Sequence, residues 1–358
     1  MSKPQFHRLV VSEVRRETKD AVSVRFQVPE NLTALYRFAP GQYLTLRLML
    51  EGEELRRSYS ICSGPEEGEL RIAAKAVGSV SGWLNRSLKE GDLLDVMTPT
   101  GRFGVTHYPG DGRLHLGFAA GSGITPIISI LRGILSGEPK SRFFLFYGNR
   151  SSGDILFKTA LDDLKDRFPD RFAIFHVLSQ EEQDLPILHG RLDQDRVRQL
   201  LKYMVPLPSV DHAFLCGPAA MSEELSQTLR ELGLAPDKIH VERFVSQEGG
   251  RPKSSPIAPE SMTLPAAHIA SLIVDGKRHK VPVAEGEAVL DAALRAGMDL
   301  PFACKGGMCC TCRARLVEGK VNMNVNYSLE PWEIDAGFVL TCQARPATAE
   351  VTIDFDHQ

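Results

Sequence analysis

Residues 304–312 read Cys-Lys-Gly-Gly-Met-Cys-Cys-Thr-Cys, and Cys342 follows after 29 further residues. The spacing is Cys304-x4-Cys309-x2-Cys312…Cys342, with Cys310 falling between the ligand positions as a bystander thiol. Four thiolates so arranged suit two irons and two sulfides, three coming from one loop and the fourth from a distant strand. Gly306 and Gly307 let the backbone wrap close and aim N–H groups at the sulfurs. The alternative is a structural zinc, but zinc ligands usually come as two close pairs, not as three plus one. Cys62 and Cys216 stand apart from this group, and no secretory signal is recognisable at the start of the sequence. Cysteines clustered in that setting read as metal ligands before disulfides.

Around the cysteine loop, Ile269–Val274, an Asp275-Gly276 turn and His279–Val283 read as a hairpin. Ala288–Ala296 reads as a short helix ending at Gly297. Strand-like Arg313–Leu316, Val339–Cys342 and Glu350–Phe355 complete the unit. With the cysteine spacing, this unit resembles a plant-type ferredoxin, which implies a β-grasp fold.

Residues 246–267, SQEGGRPKSSPIAPESMTLPAA, are rich in Pro, Ser and Gly and carry no apolar period, so they read as a tether. Before it, short runs (Leu9–Val14, Ala21–Val28, Tyr43–Leu50, Leu70–Ala76, Leu93–Met97) suggest an antiparallel barrel or sandwich, with one helix near Gly82–Leu88. From about Arg113 the pattern alternates: strand Leu114–Ala120, helix Pro126–Leu135, strand Phe143–Tyr147, helix Ile155–Phe168, then strands Phe172–Leu178 and Ala213–Cys216. That alternation predicts a parallel sheet with helices on both faces. The expected architecture is multi-domain α/β: an antiparallel β-barrel over 1–108, a parallel-sheet α/β domain over 109–245, the linker 246–267 and a β-grasp ferredoxin over 268–358.

Arg57-Ser58-Tyr59-Ser60 resembles the R-x-Y-S signature of the ferredoxin–NADP reductase superfamily. In that family the Arg neutralises the flavin diphosphate, the Tyr packs on the isoalloxazine and the Ser bonds near its reactive nitrogen. A fixed cation suits a diphosphate, and an aromatic face excludes water from the ring. Gly78-x-x-Ser81-x-x-Leu84 resembles the second phosphate segment, at a helix start, and Pro99-x-Gly101-x-Phe103 the turn that closes the barrel. The Gly78–Ser81 segment favours FAD over FMN, and Lys75 joins the expected cofactor contacts.

Gly121-Ser122-Gly123-Ile124-Thr125-Pro126, between strand and helix, lacks the third Gly of G-x-G-x-x-G but matches the superfamily's G-x-G-x-x-P loop. The resemblance makes Gly121, Gly123 and Thr125 nicotinamide contacts. Cys216-Gly217-Pro218 resembles the segment bordering the nicotinamide, although Cys216 also reads as a buried small hydrophobe. Glu242-Arg243-Phe244 resembles the end of the reductase module, with Phe244 near the flavin and Glu242 near the reacting centre. Ser60, Cys216 and Glu242 are thus the expected catalytic residues. Arg150, in Tyr147-Gly148-Asn149-Arg150, is either a clamp for the 2′-phosphate of NADPH or a solvated surface cation. NADPH is the expected donor, with NADH possible.

Net charge is −3, which offers no field for nucleic acid or an anionic membrane. Leu116–Leu131, the most apolar stretch, is shorter than the roughly 20 residues of a membrane span and is broken by Gly, Ser, Thr and Pro. The expected location is the cytoplasm. Over residues 269–358, nine Lys and Arg face twelve Asp and Glu, a mildly acidic balance. The segments 54–62, 304–321 and 326–346 resemble those of reductase subunits of phenylacetyl-CoA epoxidase complexes. That resemblance implies electron delivery to a di-iron oxygenase partner that epoxidises the ring of phenylacetyl-CoA. No convincing E-x-x-H pair is present to do oxygen chemistry in this chain. The alternative is an NADH-dependent reductase of a Rieske-type ring or steroid hydroxylase.

Overall fold

The computed structural model describes residues 4–104, 112–244 and 266–357. The expected boundaries at 108 and 245, and the linker up to residue 265, lie outside the described residues. The chain groups into two compact units, one built from most of the first 244 residues and one from the C-terminal part.

The N-terminal sheet comprises β1 (Phe6–Thr18), β2 (Ala21–Gln27), β3 (Tyr43–Leu50), β4 (Glu53–Ser60), β5 (Leu70–Lys75) and β6 (Leu93–Met97), in the order β4-β3-β6-β1-β2-β5. The β1–β2, β2–β5 and β3–β6 pairs are antiparallel. Its two edges meet where Ile61, just beyond β4, bridges Ile72 of β5, so the sheet curls into the expected barrel. Alternate side chains such as Leu44, Leu46 and Leu48 fill its interior. β4, which carries the R-x-Y-S tetrapeptide, was not among the expected strands, because charge masks its alternation. Helix α1 spans Ser79–Arg86 rather than Gly82–Leu88. It starts early because the Ser81 hydroxyl accepts the N–H groups of Val77 and Gly78 at 3.1 and 3.0 Å, fixing the first turn.

The next sheet comprises β7 (Leu114–Ala120), β8 (Arg142–Asn149), β9 (Phe172–Leu178), β10 (His212–Gly217) and β11 (Ile239–Arg243). It is parallel, in the order β11-β10-β7-β8-β9. Four helices cover it: α2 (Ile124–Gly137), α3 (Lys158–Arg167), α4 (Gln194–Met204) and α5 (Ala219–Glu231). Phe143, Leu145 and Tyr147 of β8 pack with α2 and α3, while Phe146 packs with α4 and α5. Helices therefore cover both faces, as the period-2 alternation of the strands requires. The helix expected at Ile155–Phe168 begins only at Lys158: Phe157 has φ +59°, and Ile155, Leu156 and Phe157 are buried loop residues.

The C-terminal unit comprises β12 (Ala266–Val274), β13 (Lys277–Ala284), α6 (Val289–Arg295), β14 (Arg313–Glu318), β15 (Val321–Met323), α7 (Pro331–Asp335), β16 (Phe338–Leu340), β17 (Ala344–Pro346) and β18 (Glu350–Asp354). Its main sheet is mixed, in the order β13-β12-β18-β14-β16, with β15 and β17 paired separately. This is the expected ferredoxin fold. Ala266 and Ala267, assigned to the linker, already belong to β12, where Ala266 pairs with Ala284. Asp275 and Gly276, both at positive φ (53° and 70°), make the two-residue hairpin turn, and both N–H groups donate to the Asp356 carboxylate at 2.7 Å. Among the described residues no helix is long and apolar enough to cross a membrane.

Candidate functional site

In the parallel sheet the chain runs outward from β7 to β8 and β9, then returns to lay β10 on the other side of β7. Such a reversal leaves a crevice at the carboxyl ends of the two central strands, where open α/β sheets bind ligands. Gly121–Gly123 follows β7, and Cys216-Gly217-Pro218 ends β10 at that same place. The two loops touch: a Cβ on Gly123 would lie 2.0 Å from the Cys216 carbonyl oxygen, so only glycine lets them close. Gly121 has φ +52°, and a Cβ there would meet nothing within 4 Å, which leaves open room above the loop. The Tyr147 hydroxyl donates to the Gly121 carbonyl at 2.9 Å, and the Thr125 hydroxyl donates to that of Ser122 at 3.0 Å. Both bonds fix the loop from inside.

Glu242 lies beside Cys216 in the β10–β11 register. Cys216 is fully buried, and burial, with Glu242 adding to it, pushes its thiol well up. The Glu242 residue keeps some surface, yet burial of its carboxyl pushes it up to about 8. Phe244 packs, half-buried, on the core that α2 shares with the barrel.

That shared core ties the crevice to the chain that follows β4. The Ser129 hydroxyl of α2 donates to the Ser63 carbonyl at 2.8 Å, and Arg132 Nη1 donates to that of Cys62 at 3.2 Å. Cys62 and Ser63 come two and three residues after Ser60, so the helix of the glycine loop is pinned to the chain leaving R-x-Y-S. Phe103, in the Pro99–Phe103 turn, packs edge-on against Phe214 of β10 at 5.9 Å. Sequence reasoning missed these contacts, since no local pattern marks them.

Arg57, Ser58, Tyr59 and Ser60 lie together on β4; Ser60 is buried and Tyr59 packs half-buried on the barrel core. The Arg57 guanidinium donates to the Arg56 carbonyl at 2.8 Å. Gly78 stands immediately before α1, whose first-turn N–H groups have no intrahelical acceptor and form an anion-binding terminus. Lys75, at the end of β5, is 3.4 Å from Asp20. The Gly121–Gly123 turn lies against β5. Lys75 and the helix N–H groups at the start of α1 are of the kind that suits a phosphate. Arg150 follows β8 and is half exposed, within 4.0 Å of Asp20 and Asp154. Its position leaves both its readings open.

In the C-terminal unit the free thiols lie in two hydrogen-bonded pairs, Cys304 with Cys309 and Cys312 with Cys342. The hydrogen bond from Cys309 lowers the Cys304 thiol, and that from Cys312 lowers Cys342. Among the described residues no three His, Cys, Asp or Glu side chains converge on a single-ion site. Two thiol pairs, three thiols from one loop and one from a later segment, suit two bridged irons. Further donors surround the sulfurs: the Gly306 N–H reaches Cys304 at 3.3 Å, the Thr311 hydroxyl reaches Cys309 at 3.2 Å, and Gln343 Nε2 reaches Cys342 at 3.6 Å. Such donors offset the negative charge of a thiolate-held cluster. Cys310 turns away and donates to the Ser328 carbonyl at 3.3 Å.

Comparison with known proteins agrees with this architecture. Residues 8–105 match an oxidoreductase FAD-binding domain, 118–227 an oxidoreductase NAD-binding domain, and 272–347 a 2Fe-2S iron-sulfur cluster binding domain. The chain therefore belongs to the flavin- and 2Fe-2S-dependent oxidoreductases that serve as reductase components of oxygenases. Among its relatives is a subunit of the 1,2-phenylacetyl-CoA epoxidase of Escherichia coli (strain K12), 44% identical over 98% of both chains. Another is the 3-ketosteroid-9-alpha-monooxygenase ferredoxin reductase component of Rhodococcus rhodochrous, 33% identical over 97% of this chain and 96% of that one. Phthalate dioxygenase reductase shares the fold, at a TM-score of 0.58 and 20% identity over 98% of each chain.

Proposed function

We propose that the protein takes electrons from NADPH, passes them through FAD to its own [2Fe–2S] cluster, and delivers them to a di-iron oxygenase that epoxidises the ring of phenylacetyl-CoA. The observation that carries this reading is the crevice between β7 and β10, pinned by Ser129 and Arg132 to the chain leaving the flavin strand. When bound, FAD supplies the exchange between the paired electrons of a hydride and the single electrons that a [2Fe–2S] centre accepts.

In this reading the chain's own groups bind, orient and exclude water. Arg57, Lys75 and the first turn of α1 behind Gly78 and Ser81 hold the flavin diphosphate, while Ser58, Tyr59 and Ser60 line the ring. Gly121, Gly123, Thr125, Gly217 and Pro218 form the loops on which the nicotinamide dinucleotide lies. Cys216 and Glu242 border the reacting carbon, and Phe244 covers the flavin. Glu242, protonated at neutral pH, offers a hydrogen-bond donor there in place of a charge. Arg150 takes the 2′-phosphate. Cys304, Cys309, Cys312 and Cys342 hold the cluster. Domain divisions at 108, 245 and about 266 belong to the same reading.

The phenylacetyl-CoA partner is favoured over a steroid hydroxylase because identity to the epoxidase subunit is 44% and to the ketosteroid reductase 33%, each over nearly the whole chain. A Cys342→Ser variant tests the electron order. It should lose the normal cluster signal and transfer to the oxygenase while its flavin is still bleached by NADPH at the wild-type rate. Loss of flavin reduction in a folded variant would contradict the order.

A further inference from the structure

Arg150 does not stand alone at the end of β8. Its Nη2 is 3.9 Å from Asp20 Oδ2, and its Nε is 4.0 Å from Asp154 Oδ2. Asp20 belongs to the flavin barrel, in the turn between β1 and β2, far from Arg150 in sequence. The same Asp20 oxygen lies 3.4 Å from Lys75 Nζ. Its other oxygen accepts the Thr18 hydroxyl at 2.9 Å, and its carbonyl accepts the Ala76 N–H at 2.7 Å. Asp154 is buried, takes the Ser151 hydroxyl at 2.8 Å, and pairs with Lys19 at 3.4 Å. Lys19, Lys75 and Arg150 thus face Asp20 and Asp154, with one positive charge in excess. Each aspartate is fixed by a hydroxyl, whereas the Arg150 side chain is half exposed and can turn.

We infer that Asp20 is a specificity-determining residue for the nicotinamide: it holds part of the Arg150 charge and so weakens binding of a 2′-phosphorylated dinucleotide relative to an unphosphorylated one. This rests on the assignment of Arg150 to the 2′-phosphate. A phosphate approaching Arg150 must draw the guanidinium off Asp20 and accept a carboxylate nearby. A plain ribose does neither, so Asp20 bears on one nucleotide only. Its influence on Lys75 acts on whatever both nucleotides and the flavin share, and it cancels in the ratio between them. A surface charge at this range, partly screened by solvent, is worth about a three- to tenfold change in selectivity.

The test is NADPH- and NADH-dependent ferricyanide reduction by the full-length protein loaded with FAD and cluster, with FAD content checked in each variant. Asp20→Asn keeps the shape and the Thr18 contact. It should raise the NADPH-to-NADH ratio of kcat/KM by about three- to tenfold, through KM for NADPH, and the gain should shrink as salt is raised. In an Arg150→Ala background the same change should move the ratio much less, since only the direct repulsion between carboxylate and phosphate is left. If Arg150→Ala depresses NADPH alone but Asp20→Asn leaves the ratio flat or moves both nucleotides together, the role of Asp20 is wrong and the Arg150 assignment stands. If Arg150→Ala lowers both nucleotides equally, the assignment falls and the inference with it.

Discussion

At Glu242 burial changes the chemistry of the side chain in a way its sequence neighbours do not disclose. An ordinary glutamate releases its proton near 4.5, but burial holds this one to about 8. Between those values the folded protein keeps a proton that the unfolded chain has lost. The shift therefore costs nothing below about pH 4.5, erodes stability as pH rises, and reaches its full cost above about 8. Compared with Glu242→Gln, the wild type should lose stability from pH 5 to 8 with a slope of at most about 1.4 kcal/mol per pH unit. Paired melting curves across that range check this, and parallel curves would mean the carboxyl is already ionised. Nothing in Glu242-Arg243-Phe244 alone reveals the shift, since it arises from packing around β11. The four cysteines proposed as cluster ligands were legible as a set, because three of them are set by spacing within one loop. Asp20 was not, because its neighbours Lys75 and Arg150 meet it only after the barrel and the parallel sheet have packed.

At the scale of elements, the glycine loop after β7 offers the sharpest contrast. Gly123 has an ordinary helical φ, so alanine would suit its backbone, yet its Cβ would be driven into the Cys216 carbonyl at 2.0 Å. Gly121 is the reverse case, with φ +52° and open space around it. Gly123→Ala should force β7 and β10 apart, costing about 1–3 kcal/mol and most of the nicotinamide affinity. Gly121→Ala should cost only about 1 kcal/mol, through backbone preference. Urea unfolding and nicotinamide titration of the two variants check the difference; equal effects would mean the loops do not touch. The strand–loop–helix unit was legible from its alternation and its Gly-x-Gly-x-x-Pro loop. Helices α4 and α5 were not placed, since each buries only a narrow apolar stripe (Val197, Leu200 and Leu201; Leu225 and Leu229) in a charged segment. The apolar run Ile155-Leu156-Phe157 resembles a helix start but folds as a buried turn, which its composition does not disclose.

For the whole molecule, function follows from the order of the modules. A FAD-binding barrel, a nicotinamide-binding sheet and a 2Fe-2S domain succeed one another along the chain, and Ser129 and Arg132 hold the first two together. In the electron path proposed above, hydride chemistry is confined to the crevice, and single electrons leave through the cysteine loop. The measurement that tests this most directly is NADPH oxidation by the cofactor-loaded protein, with and without the phenylacetyl-CoA oxygenase subunits and their substrate. The account predicts oxidation that depends on both and is coupled to epoxide formation. Rapid flavin and cluster reduction with no electron transfer to that oxygenase would contradict the proposed partner, and no cluster reduction at all would contradict the electron path itself.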